Sequence, residues 1–156
     1  MHEYESSLIL FAELALGLAG FAGVAAAFAG PSRSYGPLEM SRLSGLFFNS
    51  GLTLGGSVLL LTLAAAGVKT ELAFTTLSIV ALVFMIVAGA VGLPPAYRAA
   101  EQRWAVHASA LTTGVLALVY GSNVWLGGEA WPVLAAFSWQ LLYGLWLFTR
   151  ILTRAD

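Results

Sequence analysis

The sequence predicts an all-α, polytopic integral membrane protein with five transmembrane helices, its N-terminus outside and its C-terminus in the cytoplasm. Hydrophobic residues make up 59% of the chain and charged residues 10%, at a mean hydropathy of +0.84. Soluble domains carry about 25% charged residues, so this chain lacks the polar surface that water requires. Five apolar runs each reach the roughly 20 residues needed to cross a hydrocarbon core of about 30 Å as a helix. Basic residues fall on alternate connections between those runs, the pattern of a positive-inside topology. At 156 residues the chain is read as a single transmembrane domain spanning 1–156.

The first run covers about residues 6–30 and ends at Gly30-Pro31. Its start is acidic (Glu3, Glu5) and it carries Glu13, unlike a cleaved leader, so it is expected to be a retained helix. The second run, about 43–68, is closed by Gly67, and the third, about 72–93, by Pro94-Pro95. Residues 96–107 then read as a short interfacial helix, an extension of the fourth span, or a solvated connection. The fourth run, about 105–127, stops at Gly127-Gly128. The fifth, about 131–152, opens on Trp131-Pro132, where a missing N–H costs a helix nothing. None of these runs alternates polar with apolar as a barrel strand does, which leaves helices as the backbone solution in lipid.

Arg33 and Arg42 flank the first connection, Arg98 and Arg103 the third, and Arg150 and Arg154 the C-terminus. Lys69 is alone in the second, and the N-terminal tail and fourth connection hold no Lys or Arg. Tyr4, Trp104, Trp125 and Trp131 fall near the expected interfaces, as an aromatic belt would. Arginine in place of lysine, beside heavy Ala, Gly and Leu usage, points to a bacterium with a GC-rich genome and so to a bacterial cytoplasmic (inner) membrane. The lipid bilayer is then the principal partner, and a net charge of −1 gives no bulk attraction to nucleic acid.

Polar residues within spans are the functional candidates, because each is costly in lipid. Glu13 lies roughly 10 Å below the outer surface at 1.5 Å per residue. It shares a stripe with Gly17, Gly20, Val24 and Ala27, and is expected to face a neighbouring helix, as an ion or proton site or as a neutral carboxyl used for packing. Asn49 lies in the polar stretch Asn49-Ser50-Gly51-Leu52-Thr53-Leu54-Gly55-Gly56-Ser57, either a polar path or a small-residue seam. His107 is placed near the cytoplasmic end of helix four, as a proton relay or an interfacial anchor. Gln140 sits mid-helix in the fifth span, and a Glu13–Gln140 hydrogen bond is the expected contact. Asn123 is expected to snorkel to the outer interface, and helix three to be the most lipid-exposed.

Other chemistries are poorly served. The chain has no cysteine, which removes disulfides and thiolate ligands. Its two histidines are expected on opposite sides of the membrane, which argues against a bis-His haem within one chain. No hydrolase, metalloprotease or phosphate-loop motif is present. No enzymatic activity, cofactor or metal is expected. Five helices do not halve into the inverted repeat of a secondary transporter.

Phe11-Ala12-Glu13 followed by Gly20-Phe21-Ala22-Gly23, and Trp131 through the run Gly144-Leu145-Trp146-Leu147-Phe148-Thr149-Arg150-Ile151-Leu152, resemble small bacterial multi-pass membrane proteins of unassigned function. The resemblance implies no activity or site residue. From the residues themselves, the expected function is a homo-oligomeric membrane channel or transport protein. Its polar path would use Glu13 with Gln140 outside and Asn49 with His107 inside. The alternative is a non-catalytic structural or accessory subunit of a larger membrane complex.

Overall fold

A computed structural model of the chain describes residues 2–28, 37–99 and 103–153. Among these residues the chain is all-α. Its five helices are α1 (His2–Phe28), α2 (Pro37–Ala65), α3 (Thr70–Ala99), α4 (Arg103–Trp125) and α5 (Ala130–Leu152). Most begin a few residues earlier than their apolar runs, because a helix continues into polar residues once its backbone bonds are nucleated. α3 passes through Pro94-Pro95 to Ala99 instead of ending at Leu93. Proline has a helical φ, so each of the pair gives up its own N–H bond while the helix runs on for four more residues. Of residues 96–107, those described end α3 (96–99) or begin α4 (103–107). Residues 100–102, the first connection with Arg33, and Arg154 lie outside the described residues.

Among the described residues, four helices are long and apolar enough to cross a membrane, in the segments Glu3–Val24, Glu39–Ala65, Thr70–Val91 and Ala130–Leu152. The expected fifth span, α4, is not among these four segments. The exposed surface is apolar too. Ile79, Val83, Phe84, Ile86, Val87 and Val91 all lie open on α3. A soluble monomer rarely exposes so continuous a patch, and these helices suggest a membrane protein.

The turns close with glycine in the left-handed region. Gly67 (φ 73°) follows α2, where Gly67 N–H donates to Ala64 O and Val68 N–H to Leu63 O. This is the paired bonding of a Schellman motif, which satisfies carbonyls at the helix end. Gly127 and Gly128 (φ 80° and 85°) do the same after α4, with Gly128 N–H donating to Asn123 O.

By packing, the chain divides into two compact units. One comprises Leu59–Ala136 with the first two residues, and its centre is the pairing of α3 with α4. Asn123 lies against Ser78, and Gly121 against Leu82. As one number rises the other falls, so the helices are antiparallel. Gly128 packs so closely on the start of α3 that a Cβ there would run into the Glu71 carbonyl oxygen and Thr75 Oγ1.

The other unit comprises Glu3–Val58 with Phe137–Asp156. Here α2 and α5 are antiparallel, from Arg42 beside Arg150 to Thr53 beside Gln140. α1 runs parallel to α5. Phe11 meets Phe137 edge-on at 5.7 Å, and Leu18 reaches Gly144. Ala22, Leu46 and Leu147 form the apolar centre of this unit.

Buried positions follow a three-four spacing. On α1 they are Leu8, Ala15 and Ala22, with Phe11 and Leu18 half-buried between them. On α2 the series is Arg42, Leu46, Asn49, Thr53, Gly56 and Leu60, and on α5 it is Val133, Phe137, Gln140, Gly144 and Leu147. This is the seam of helices crossing at about 20°. It places Glu13, Gly17 and Gly20 on the exposed side of α1, opposite to the orientation expected from the small-residue stripe. α1 is also less covered than α3, with 17% against 28% of the apolar window buried, so α3 is not the most exposed helix.

Candidate functional site

Polar side chains within the α2–α5 unit converge on one seam. Asn49, Ser50, Thr53 and Ser57 lie along the inward face of α2 and are 6%, 1%, 0% and 0% exposed. Seven residues of helix separate Ser50 from Ser57, about 10.5 Å of rise. Opposite them on α5 stands Gln140, 0% exposed. Thr53 Oγ1 donates to Gln140 Oε1 at 2.9 Å. Below that bond α5 presents Gly144, where an added Cβ would lie 3.9 Å from Ser50 Oγ and 2.9 Å from Leu18 Cδ2. The absence of a side chain at Gly144 lets the helices close over Ser50.

The seam's polar atoms are incompletely matched within the protein. Gln140 Nε2, Ser50 Oγ and Ser57 Oγ are buried and have no hydrogen-bond partner among the described residues. Buried groups of this kind cost about 1–3 kcal/mol each when left unmatched. Several other hydroxyls donate to their own helix. Thr76 bonds to Leu72 O, Ser78 to Phe74 O, Thr113 to Ser109 O and Thr149 to Trp146 O. Ser50 and Ser57 have the same option and do not take it. Asn49 does, donating to Gly45 O at 2.7 Å, so it turns back along α2 instead of bridging to another helix.

Arg42 closes one end of the seam. It is 8% exposed, and its Nη1 donates to Arg150 O at 3.4 Å. A cation there complements the partial negative charge of the α5 C-terminus.

The four residues expected to form a path are thus only partly brought together. Asn49 and Gln140 share the seam. Glu13 does not reach Gln140, which takes its bond from Thr53. Glu13 is exposed on α1 and makes no hydrogen bond or ion pair among the described residues. His107 belongs to the other unit and is exposed on α4. Asn123, expected to snorkel, is 0% exposed and donates Nδ2 to Ser78 Oγ at 2.9 Å. Thr53, Ser50 and Ser57 were the residues to find. Their i, i+3, i+7 spacing puts all three on one helical face, a signal present in the sequence beside Asn49.

No group of three or more His, Cys, Asp or Glu among the described residues could hold a metal ion. No protein-family model matches the chain, and no curated protein or solved structure does either.

Proposed function

We propose that this chain is a five-span protein of a bacterial inner membrane that moves a small species along the α2–α5 seam, assembled as a homo-oligomer. The observation that carries the reading is the row of buried, unmatched polar atoms on Ser50, Gln140 and Ser57 inside an otherwise apolar helix cluster. Polar groups buried in a membrane interior are costly, and lining a transport path is one use that keeps them there.

An odd number of spans is supported by the mutual directions of α1, α2 and α5. α1 and α5 run parallel while α2 opposes them, as odd and even spans of a serial crossing do. α4 crosses despite its polarity because Asn123, Thr113 and Ser122 have partners within the protein. The arginine distribution supports a cytoplasmic C-terminus. Flux measured in proteoliposomes tests the transport reading. Gln140→Leu is expected to lower it at least tenfold, and no flux of ions, water or small solutes from the wild-type protein would refute it.

The second reading, an accessory subunit, draws on the exposed face of α1. There Glu13, Gly17 and Gly20 lie open, with nothing within 4 Å of a Cβ added at either glycine. A flat face with one carboxyl suits close helix packing. The mass of the complex in a native nanodisc separates the two: several identical chains favour transport, and a stoichiometric unrelated partner favours the subunit.

A further inference from the structure

We infer that two copies of this chain pair through the exposed face of α1, with Glu13 of one copy meeting Glu13 of the other. The inference rests on the homo-oligomeric reading and names the face that forms the assembly.

α1 carries two rows of residues at three-four spacing. Leu8, Phe11, Ala15, Leu18 and Ala22 form the row that packs within the chain. Leu10, Glu13, Gly17, Gly20, Val24 and Ala27 form the other, and all six are exposed. At about 100° per residue the two rows lie on opposite sides of the helix. The second row has the seven-residue repeat of a coiled-coil seam, which keeps one face against a partner helix over its whole length. α1 is also the least covered of the four apolar segments, with 17% of its window buried against 28% or 39% in the others.

Glu13 distinguishes this face from one that meets only lipid. Ten residues of the segment Glu3–Val24 precede it and eleven follow. It therefore lies about 15 Å of helix from either end, too deep for so short a side chain to reach the interface. Ionisable groups at such depth are costly and are held by pairing with one another or with protein dipoles. Gln140, the amide of the same unit, is engaged by Thr53 on the other side of the packing.

A second copy supplies what Glu13 lacks. A parallel two-fold pair sets residues of equal depth side by side, each against its own counterpart. A carboxyl carrying its proton donates through O–H and accepts through C=O, so two of them close reciprocal hydrogen bonds. A basic partner would instead bring a second charge to the bilayer centre, with its own desolvation cost. Gly17 and Gly20 admit the approach, since a Cβ added at either has nothing within 4 Å among the described residues. Small residues in a row let membrane helices come close enough for such bonds.

The chain has no cysteine, so single cysteines report the pairing face directly. Full-length Leu10→Cys, Gly17→Cys and Val24→Cys are oxidised in native membranes beside the flanking controls Leu14→Cys and Leu16→Cys. A disulfide needs Cα atoms about 4.4–6.8 Å apart, so cross-linking is expected at least fivefold faster at 10, 17 and 24 than at 14 and 16. With Leu10→Cys present, Glu13→Leu should lower the cross-linked yield at least threefold. Glu13→Gln keeps a donor and an acceptor and should lower it less than twofold. Gly20→Ile, at a position open within the chain, should also lower it threefold and serves if Glu13→Leu fails to fold. Equal rates at all five positions would overturn the inference, as would a yield unmoved by both Glu13→Leu and Gly20→Ile. A monomer by native mass, or an unrelated partner on this face, would overturn it too. Identical chains cross-linked only through another helix refute this face and leave the homo-oligomer standing. Silent flux beside the expected cross-links refutes transport and leaves the interface in place.

Discussion

Gln140 holds one matched and one unmatched polar atom in full burial, and that imbalance makes its contact with Thr53 measurable. Hydrogen bonds between membrane helices contribute about 0.6 kcal/mol on average and up to about 1.7. Thr53→Val keeps the shape and deletes the donor, so it is expected to cost about 1 kcal/mol in detergent unfolding, and Thr53→Ser to cost little. Glycines supply a second contrast. Gly128→Ala meets a backbone carbonyl at a positive φ and is expected to cost about 1–3 kcal/mol. Gly17→Ala meets nothing within 4 Å among the described residues and is expected to leave monomer stability within about 0.5 kcal/mol. Equal effects for the two glycines would refute the packing of Gly128 against Glu71. At this scale the candidates Gln140 and Asn49 were legible as polar groups in apolar runs. Their partners were not, because an uncharged amide pairs as readily with any hydroxyl at its depth, and Thr53 and Glu13 are equivalent choices until the helices are turned.

Among the elements, α1 separates pattern from packing most sharply. Its small residues Gly17 and Gly20 suggested one inward face, and the three-four series Leu8, Phe11, Ala15, Leu18, Ala22 occupies the other. Ala15 is 0% exposed and Leu16 is 61% exposed. Ala15→Leu is therefore expected to destabilise by about 1–3 kcal/mol through overpacking, whereas Leu16→Ala changes stability by less than about 0.5 kcal/mol. The reverse order of effects would place the Glu13 side inward after all. α3 and α4 are joined in the other unit by Asn123 and Ser78. A double-mutant cycle on Asn123→Ala and Ser78→Ala should return a coupling of about 0.6–1.7 kcal/mol, and a coupling near zero would remove this bond as the register mark of the pair.

For the whole molecule, a buried amide-to-hydroxyl bond joins two helices in each unit, Thr53 to Gln140 in one and Ser78 to Asn123 in the other. The proposed orientation is tested by fusing reporters at the C-terminus and in the turn after α4. A fluorescent protein at the C-terminus should glow and a periplasm-dependent phosphatase there should be silent, with the opposite result at residues 126–129. Agreement of both reporters on one side at both positions would rule out an odd number of crossings between them.

Helix number, order and most of the ends follow from the sequence alone, because length of apolar run and glycine are local properties that act before any packing; the end of α3 is the exception, since it runs through Pro94-Pro95. The all-α class and the apolar character suggesting a membrane follow for the same reason. What only the tertiary structure decided is how each helix is turned about its axis. In a soluble helix the contrast between apolar and polar faces would announce that rotation. Here nearly every face is apolar, so hydropathy carries almost no directional signal, and close side-chain fit chooses the inward face. That choice put Ser50, Thr53, Ser57 and Gln140 on one seam and left Glu13 outside it.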